Sequence, residues 1–165
     1  MHIPLFIHLF IHFVLAASAG LLIGRYFNKA KLGIIAGIVG GVLIDLDHFL
    51  EYFFVFGFHF NPIYFLEGRE FLVSNKILLI FHAWEYIPIL LIIAWFLRRR
   101  KNAGIFLLAL IFGGIVHLTA DCVMNDYPLR NYSLIYRATK DFSVPLLLNP
   151  SQQEWNAELR RELGL

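Results

Sequence analysis

Histidines and acids with the spacing of metal ligands interrupt stretches of the sequence that are otherwise apolar. His117 and Asp121 are four residues apart and His82 and Glu85 are three apart, so a helix would present each pair on one face. Imidazole nitrogens and carboxylate oxygens are ligands that zinc and other first-row divalent metals accept in proteins. The candidate metal ligands are His8, His12, Asp45, Asp47, His48, His82, Glu85, His117 and Asp121. This set exceeds one tetrahedral shell of about four ligands, so we expect more than one divalent ion, with zinc as the first choice and manganese or iron as alternatives.

The acids in this set need a partner that the apolar stretches themselves do not supply. Asp45, Asp47, Glu85 and Asp121 lie in or at the edge of runs that contain no Lys or Arg. A charged side chain at membrane depth costs roughly 2.5–3.5 kcal/mol on insertion scales. Protonation would remove this cost by raising the carboxylate pKa values, and a divalent cation would offset it directly. The interleaved histidines favour the cation.

Several of these residues also have simpler interpretations that the sequence leaves open. His8 and His12 could make polar contacts between helices, and Asp47 could hydrogen-bond backbone groups. Glu85 could hydrogen-bond a histidine that itself binds the metal. His2 and His59 have no comparable neighbours and are interpreted as interfacial residues.

Composition indicates how these residues are positioned, because the chain is 59% hydrophobic and only 16% charged. A soluble domain has about 25% charged residues, so we predict an all-α polytopic membrane protein. The formal charge of +2 is too small to predict nucleic-acid binding. We predict transmembrane helices over about 3–24, 33–50, 77–97 and 103–120 within a domain of residues 1–121, and an aromatic interfacial loop over 51–76. Residues 122–165 are predicted to form an extracytoplasmic C-terminal tail that is irregular over 122–150, after which a capping box of Ser151 and Glu154 starts a short helix over about 152–163.

Basic residues between the predicted spans indicate the orientation of the chain. Arg25, Lys29 and Lys31 follow the first span, and Arg98–Lys101 follows the third. The positive-inside rule makes these loops cytoplasmic, which predicts a candidate metal site near the extracytoplasmic face of the cytoplasmic membrane. Glycine pairs four apart, Gly20 with Gly24 and Gly33 with Gly37, either allow close helix packing or reflect the ordinary abundance of glycine in membrane helices.

The order of these motifs resembles a known family. His12, the segment LIDLDHF with Asp45, Asp47 and His48, then His82, then GGIVHLTAD with His117 and Asp121 occur within residues 8–125. This order resembles the membrane-bound metal-dependent hydrolases, small prokaryotic inner-membrane proteins. It is more distantly similar to the all-helical zinc-dependent phospholipase C and nuclease fold, which has a multinuclear zinc site. Ile44 stands where the family has proline, and FHAWEY keeps one histidine of the third motif, for which Glu85 is the candidate substitute.

The resemblance and the ligand set together predict a hydrolase. A bound divalent metal lowers the pKa of water to about 7 and polarises a phosphoryl or acyl oxygen. Asp47 or Glu85 is the candidate general base. The aromatic residues of the 51–76 loop suggest a lipid or lipid-linked substrate, although an ordinary aromatic belt explains them equally well. The alternative is a non-enzymatic metal-binding protein or a component that moves ions or protons.

Overall fold

The computed structural model describes residues 5–165, and over this range the chain is all-helical, as the sequence predicted. One isolated antiparallel bridge, between Lys76 and Ser143, is the only β pairing within these residues. The helices are α1 Leu5–Tyr26, α2 Ala30–Val42, α3 Leu46–Phe56, α4 Pro62–Leu66, α5 Arg69–Ser74, α6 Tyr86–Phe96, α7 Lys101–Met124, α8 Leu134–Thr139, α9 Val144–Leu147 and α10 Pro150–Leu163. Two short 3₁₀ segments, Leu43–Asp45 and Leu129–Tyr132, complete the helical structure.

Three helical stretches among the described residues are long and apolar enough to cross a membrane. They are Phe6–Tyr26, Ala30–Phe56 and Lys101–Met124, with mean hydropathies of 2.2, 1.7 and 2.2. The second stretch joins α2 and α3 through the 3₁₀ turn at Leu43–Asp45. Each stretch reaches the roughly 20 residues that a transmembrane helix needs. The start of the first predicted span, and His2 with it, lies outside the described residues.

The predicted third span is helical only in its second half. Helix α6 begins at Tyr86 and has 11 residues, whereas the prediction began the helix at Ile77. At about 1.5 Å per residue, α6 is about half as long as the roughly 30 Å hydrocarbon core is thick. The prediction of one continuous helix over 77–97 is therefore wrong, and residues 77–85, the 77–85 segment from here on, are irregular. His82 and Glu85 consequently do not share a helical face.

Helices α1, α2 and α7 pack against one another at very short range. A Cβ atom added to Gly20 would overlap the carbonyl oxygen of Gly33, and one added to Gly113 would overlap that of Gly37. The close approach of the helices requires glycine at these positions. The glycine spacing therefore reflects close helix packing and not only the ordinary abundance of glycine in membrane helices. The bundle brings the start of α1 beside the end of α7.

Segments outside the bundle are more ordered than predicted. The 51–76 loop is largely helical, because α3 continues to Phe56 and α4 and α5 follow. Aromatic rings join these elements, with the centroids of Phe49 and Phe65 4.4 Å apart and those of Tyr52 and Phe56 4.9 Å apart. The irregular tail predicted after residue 121 instead contains the end of α7, a 3₁₀ segment and helices α8 to α10.

The capping box of the last helix lies two residues before the predicted position. Asn149 and Gln152 form it, with the Asn149 side chain accepting a hydrogen bond from the Gln152 backbone N–H. Pro150 occupies the first position of α10, which suits a residue without an N–H. The prediction of Ser151 and Glu154 as the capping pair is therefore wrong.

Candidate metal centre

Residues from four separate segments converge at one end of the bundle. The first turns of α1 and the last turns of α7 each contribute two side chains that are four residues apart. The 3₁₀ turn between α2 and α3 contributes a carboxylate, and the 77–85 segment contributes an imidazole. The converging residues are His8, His12, Asp45, His82, His117 and Asp121.

Four of these side chains form a compact set, which we call the four-donor set. The Nε2 atoms of His82 and His117 are 3.2 Å apart. Asp45 Oδ1 lies 3.5 Å from each of these nitrogens, and Asp121 Oδ2 lies 3.4 Å from His82 Nε2 and 3.2 Å from His117 Nε2. A tetrahedral shell with metal–ligand bonds of roughly 2.0–2.1 Å has ligand–ligand distances of roughly 3.3–3.4 Å. These five distances are close to that spacing. Asp45, His82 and His117 offer ligand atoms close enough together to hold one metal ion, and Asp121 Oδ2 lies beside both histidines.

The protonation pattern of His82 also fits a cation at this position. Asp47 lies 3.0 Å from His82 Nδ1, and an ionised carboxylate can only accept a hydrogen bond. With Asp47 as the acceptor, the proton of a neutral His82 ring lies on Nδ1, and Nε2 then presents a lone pair to its neighbours. A proton on Nε2 could bond to only one acceptor, whereas Asp45 Oδ1, Asp121 Oδ2 and His117 Nε2 all lie near this nitrogen. A cation could contact all three atoms. A carboxylate that orients a metal-binding histidine in this way is a common arrangement in metal sites.

A second set, which we call the three-donor set, lies on the other side of Asp121. The Nε2 atoms of His8 and His12 are 2.7 Å apart. Asp121 Oδ1 lies 3.2 Å from the first and 3.0 Å from the second. Three protein ligands with a fourth position left for water or substrate are typical of catalytic zinc sites. The His8 side chain is 19% exposed, whereas that of His12 is buried, so the three-donor set has an accessible side.

Asp47 lies beside the donor sets but is held by hydrogen bonds to the 77–85 segment. Its Oδ2 accepts from the backbone N–H of Phe81 at 2.7 Å and of His82 at 3.2 Å, in addition to the His82 ring. The residue is 1% exposed. Asp47, His48 and His82 offer ligand atoms close enough to form a further candidate group. The contacts of Asp47 indicate that it positions His82 and the backbone around it.

Glu85 is a predicted site residue that the structure does not bring to the donor sets. Its carboxylate accepts hydrogen bonds from Ser133 Oγ at 2.5 Å and from the backbone N–H groups of Leu134 and Ile135 at 3.2 and 3.0 Å. These groups form the beginning of α8, where a carboxylate is electrostatically favourable. The side chain points to α8 because the 77–85 segment is irregular up to Glu85, so the helical spacing assumed for His82 and Glu85 does not apply.

Two residues that hold the 77–85 segment were not predicted as part of the site. Glu51, four residues after Asp47 on α3, accepts from the N–H groups of Leu78 at 2.8 Å and Leu79 at 3.0 Å. Arg137 of α8 donates to the carbonyl oxygens of Leu79 at 2.8 Å and His82 at 3.0 Å. Buried backbone groups outside helices need such partners.

Leu79 has a backbone conformation that these contacts must maintain. Its φ of 35° lies in the left-handed region, which costs a residue with a branched side chain of order 1–3 kcal/mol. Glu51 accepts a hydrogen bond from the Leu79 N–H, and Arg137 donates one to the Leu79 carbonyl oxygen. The spacing of Asp47 and Glu51 on one helical face was a signal available in the sequence. The sequence contained no such signal for Arg137, because the residues that it contacts, His82 and Leu79, lie 55 and 58 positions earlier in the chain.

A cavity of about 520 Å³ opens beside both donor sets. Its polar lining residues include His8, Asp45, His82 and Asp121, and its apolar lining residues include Phe49, Phe65, Phe71 and Leu147. This volume lies within the range of roughly 300–1,000 Å³ that is usual for small-molecule sites. The C-terminal segment also lines it, through Tyr132 and Val144. That segment therefore belongs to the site and is not a separate tail.

No protein-family model, no curated protein and no solved structure matches the sequence or fold of this chain. The interpretation of the site therefore depends on the donor geometry, and the family resemblance of the motifs remains an expectation from the sequence.

Proposed function

We propose that this protein is a membrane-embedded metal-dependent hydrolase that cleaves a phosphoester of a lipid or lipid-like substrate. The observation that carries the proposal is the position of Asp121, whose two carboxylate oxygens belong to different donor sets. A carboxylate shared in this way suits a pair of metal ions, and two-metal sites with ions roughly 3.5–4 Å apart are typical of phosphoester hydrolysis. We infer zinc from the mixture of imidazole and carboxylate donors, with manganese or iron as alternatives.

The roles of the chain's own residues follow from their contacts. A divalent metal, when bound, lowers the pKa of water to about 7 and polarises a phosphoryl oxygen. His8, His12 and Asp121 leave a position open toward the cavity, where a phosphate group can be held. Asp47 orients His82, and the 77–85 segment is kept rigid by Glu51 and Arg137. Rigid support of this kind maintains the geometry that catalysis requires.

The lipid-like substrate is supported by the surroundings of the cavity. Polar residues of the donor sets and a group of aromatic and aliphatic residues line the same cavity. Some apolar side chains that line the cavity are exposed, among them Leu66 at 63% and Phe49 at 38%. Exposed aromatic residues near long apolar helices suit the interface between membrane and water. An amphiphile could therefore enter from the membrane with its phosphate toward the donors.

The non-enzymatic alternative has less support from the arrangement of the donors. A carrier of metal ions or protons requires polar groups along the depth of the membrane, or discontinuous helices around a central site. The donors of this chain converge at one end of the bundle, beside a cavity of the size that holds a small molecule.

The proposal is tested by metal analysis followed by an activity screen of the purified protein in detergent. We expect about two metal ions per chain and metal-dependent release of phosphate or alcohol from a lipid phosphoester. Asp121→Ala should abolish both, whereas Asp141→Ala, which removes an exposed acid paired with Lys76, should leave both unchanged. A protein that binds no divalent metal, or that cleaves no phosphoester when loaded, would contradict the proposal.

A further inference from the structure

Glu70 is a buried acid in the wall of the same cavity that the proposed reaction has not used. It lies in the first turn of α5, is 1% exposed, and lines the cavity together with Asp45, His48 and Asp121. Its Oε2 atom has no hydrogen-bond partner among residues 5–165. Acidic side chains are rarely this buried without a partner, so an unpaired oxygen beside a cavity indicates a group that interacts with a ligand.

The other acids close to the cavity are already engaged. Asp45 and Asp121 supply oxygens to the donor sets. Glu51 accepts hydrogen bonds from two backbone N–H groups. Glu67 forms an ion pair with Arg69, whose Nε lies 2.6 Å from the Glu67 carboxylate. Asp47 is held by the 77–85 segment, as described above. Among the described acids that line the cavity, Glu70 is therefore the one outside both donor sets with an oxygen that has no hydrogen-bond partner.

The environment of Glu70 makes its protonated form accessible near neutral pH. Burial raises the pKa of Glu70 to about 7, and the Glu51 carboxylate on α3 adds to this increase. Arg160 of α10 contacts the end of α5, but it donates to the Leu72 carbonyl oxygen and to Asn75 Oδ1. A protonated carboxyl group has an O–H to donate, which a carboxylate lacks.

We propose that Glu70 donates a proton to the leaving-group oxygen of the phosphoester bound in this cavity. This inference rests on the hydrolase function proposed above. The oxygen of a water molecule forms a bond to phosphorus as the bond between phosphorus and the alcohol oxygen breaks. The Glu70 proton passes to the departing oxygen, and the proton released by the attacking water restores the carboxyl group. One water is consumed, and the products are an alcohol and a phosphate.

The dependence on the leaving group separates proton donation from other roles of Glu70. For a substrate with an alkyl alcohol leaving group, Glu70→Gln should lower turnover by roughly 10²–10⁴-fold, because an alkoxide leaves poorly without a proton. For the matching nitrophenyl ester, whose leaving group departs as a stable anion, the same variant should keep most of its turnover. Glu67→Gln, which changes an ion-paired acid nearby on the chain, should not alter the ratio between the two substrates.

The pH profile gives a second test with a defined sign. A proton donor acts in its protonated form, so wild-type turnover of the alkyl substrate should fall as pH rises through the Glu70 pKa of about 7. This decrease should be absent in Glu70→Gln. Infrared difference spectra should contain a protonated carboxyl band that titrates in the same range in the wild type and is missing from the variant.

The outcomes separate this inference from the hydrolase proposal. A wild type that cleaves neither ester when loaded with metal would overturn both. An active wild type for which Glu70→Gln loses both esters equally, or loses its metal, would overturn proton donation alone and indicate a structural or metal-binding role. A wild type without the titrating carboxyl band would also overturn proton donation.

Discussion

Asp47 lies 3.0 Å from His82 Nδ1, on the opposite side of the imidazole ring from the four-donor set. This contact sets the tautomer of the ring and directs Nε2 toward Asp45, His117 and Asp121. The same carboxylate accepts the backbone N–H groups of Phe81 and His82. One buried acid therefore positions both the ligand and the chain that carries it.

Asp47→Asn should weaken metal binding while retaining the fold. The amide keeps one oxygen for the backbone N–H groups but is a poorer acceptor for the His82 proton, and loss of such orienting groups typically costs about 10–100-fold in metal affinity. Competition with a chelator measures this change. Glu85→Gln is the matched control and should leave affinity unchanged, since Glu85 bonds to the start of α8. Equal affinities for Asp47→Asn and the wild type would contradict the positioning role.

Single substitutions should divide the bound metal between the two donor sets. His12→Ala removes a member of the three-donor set only, and His117→Ala removes a member of the four-donor set only. We expect each variant to lose about half of the metal of a two-metal site, and Asp121→Ala to lose nearly all of it. Elemental analysis of protein purified under identical conditions gives the stoichiometry. Full retention of metal in Asp121→Ala would show that this residue does not join the two sets.

Arg137→Met should destabilise the protein and weaken its metal binding together. The substitution leaves the carbonyl oxygens of Leu79, His82 and Asn131 without this donor. An unpaired buried polar group costs roughly 1–3 kcal/mol, so a clear decrease in Tm is expected. Arg130→Met removes an exposed arginine that lies over the Tyr136 ring, and its Tm should change little. A normal Tm with normal metal content in Arg137→Met would contradict the role assigned to the 77–85 segment.

Cysteine labelling in intact cells should test the orientation predicted from the basic loops. In a Cys122→Ser background, Leu129→Cys places a thiol at an exposed position beyond α7, whereas Asn28→Cys places one between α1 and α2. An impermeant thiol reagent should label the first variant from outside and the second only after permeabilisation. The reverse pattern would indicate that the donor sets face the cytoplasm.

The sequence was sufficient to predict three long apolar helical stretches, and all residues of the two donor sets were among its candidates. Apolar runs of membrane length predict α1, α7 and α2 with the beginning of α3, since this signal is local and continuous; the rest of α3 was predicted as a loop. His8 with His12, and His117 with Asp121, lie four apart on helices, so their shared faces follow from helical geometry alone. Their convergence at one end of the bundle follows from alternating helix directions.

Only the tertiary structure decided what happens between residues 77 and 85. The apolar run there is equally compatible with a helix, and it is irregular because side chains distant in sequence replace the helical hydrogen bonds of its backbone. Glu51 and Asp47 accept its N–H groups, and Arg137 donates to its carbonyl oxygens. These contacts depend on how α3 and α8 pack around the segment. The same packing turns Glu85 toward α8 and leaves Glu70 Oε2 without a hydrogen-bond partner among the described residues. The burial of a side chain and its partners depend on the assembled fold and not on local spacing.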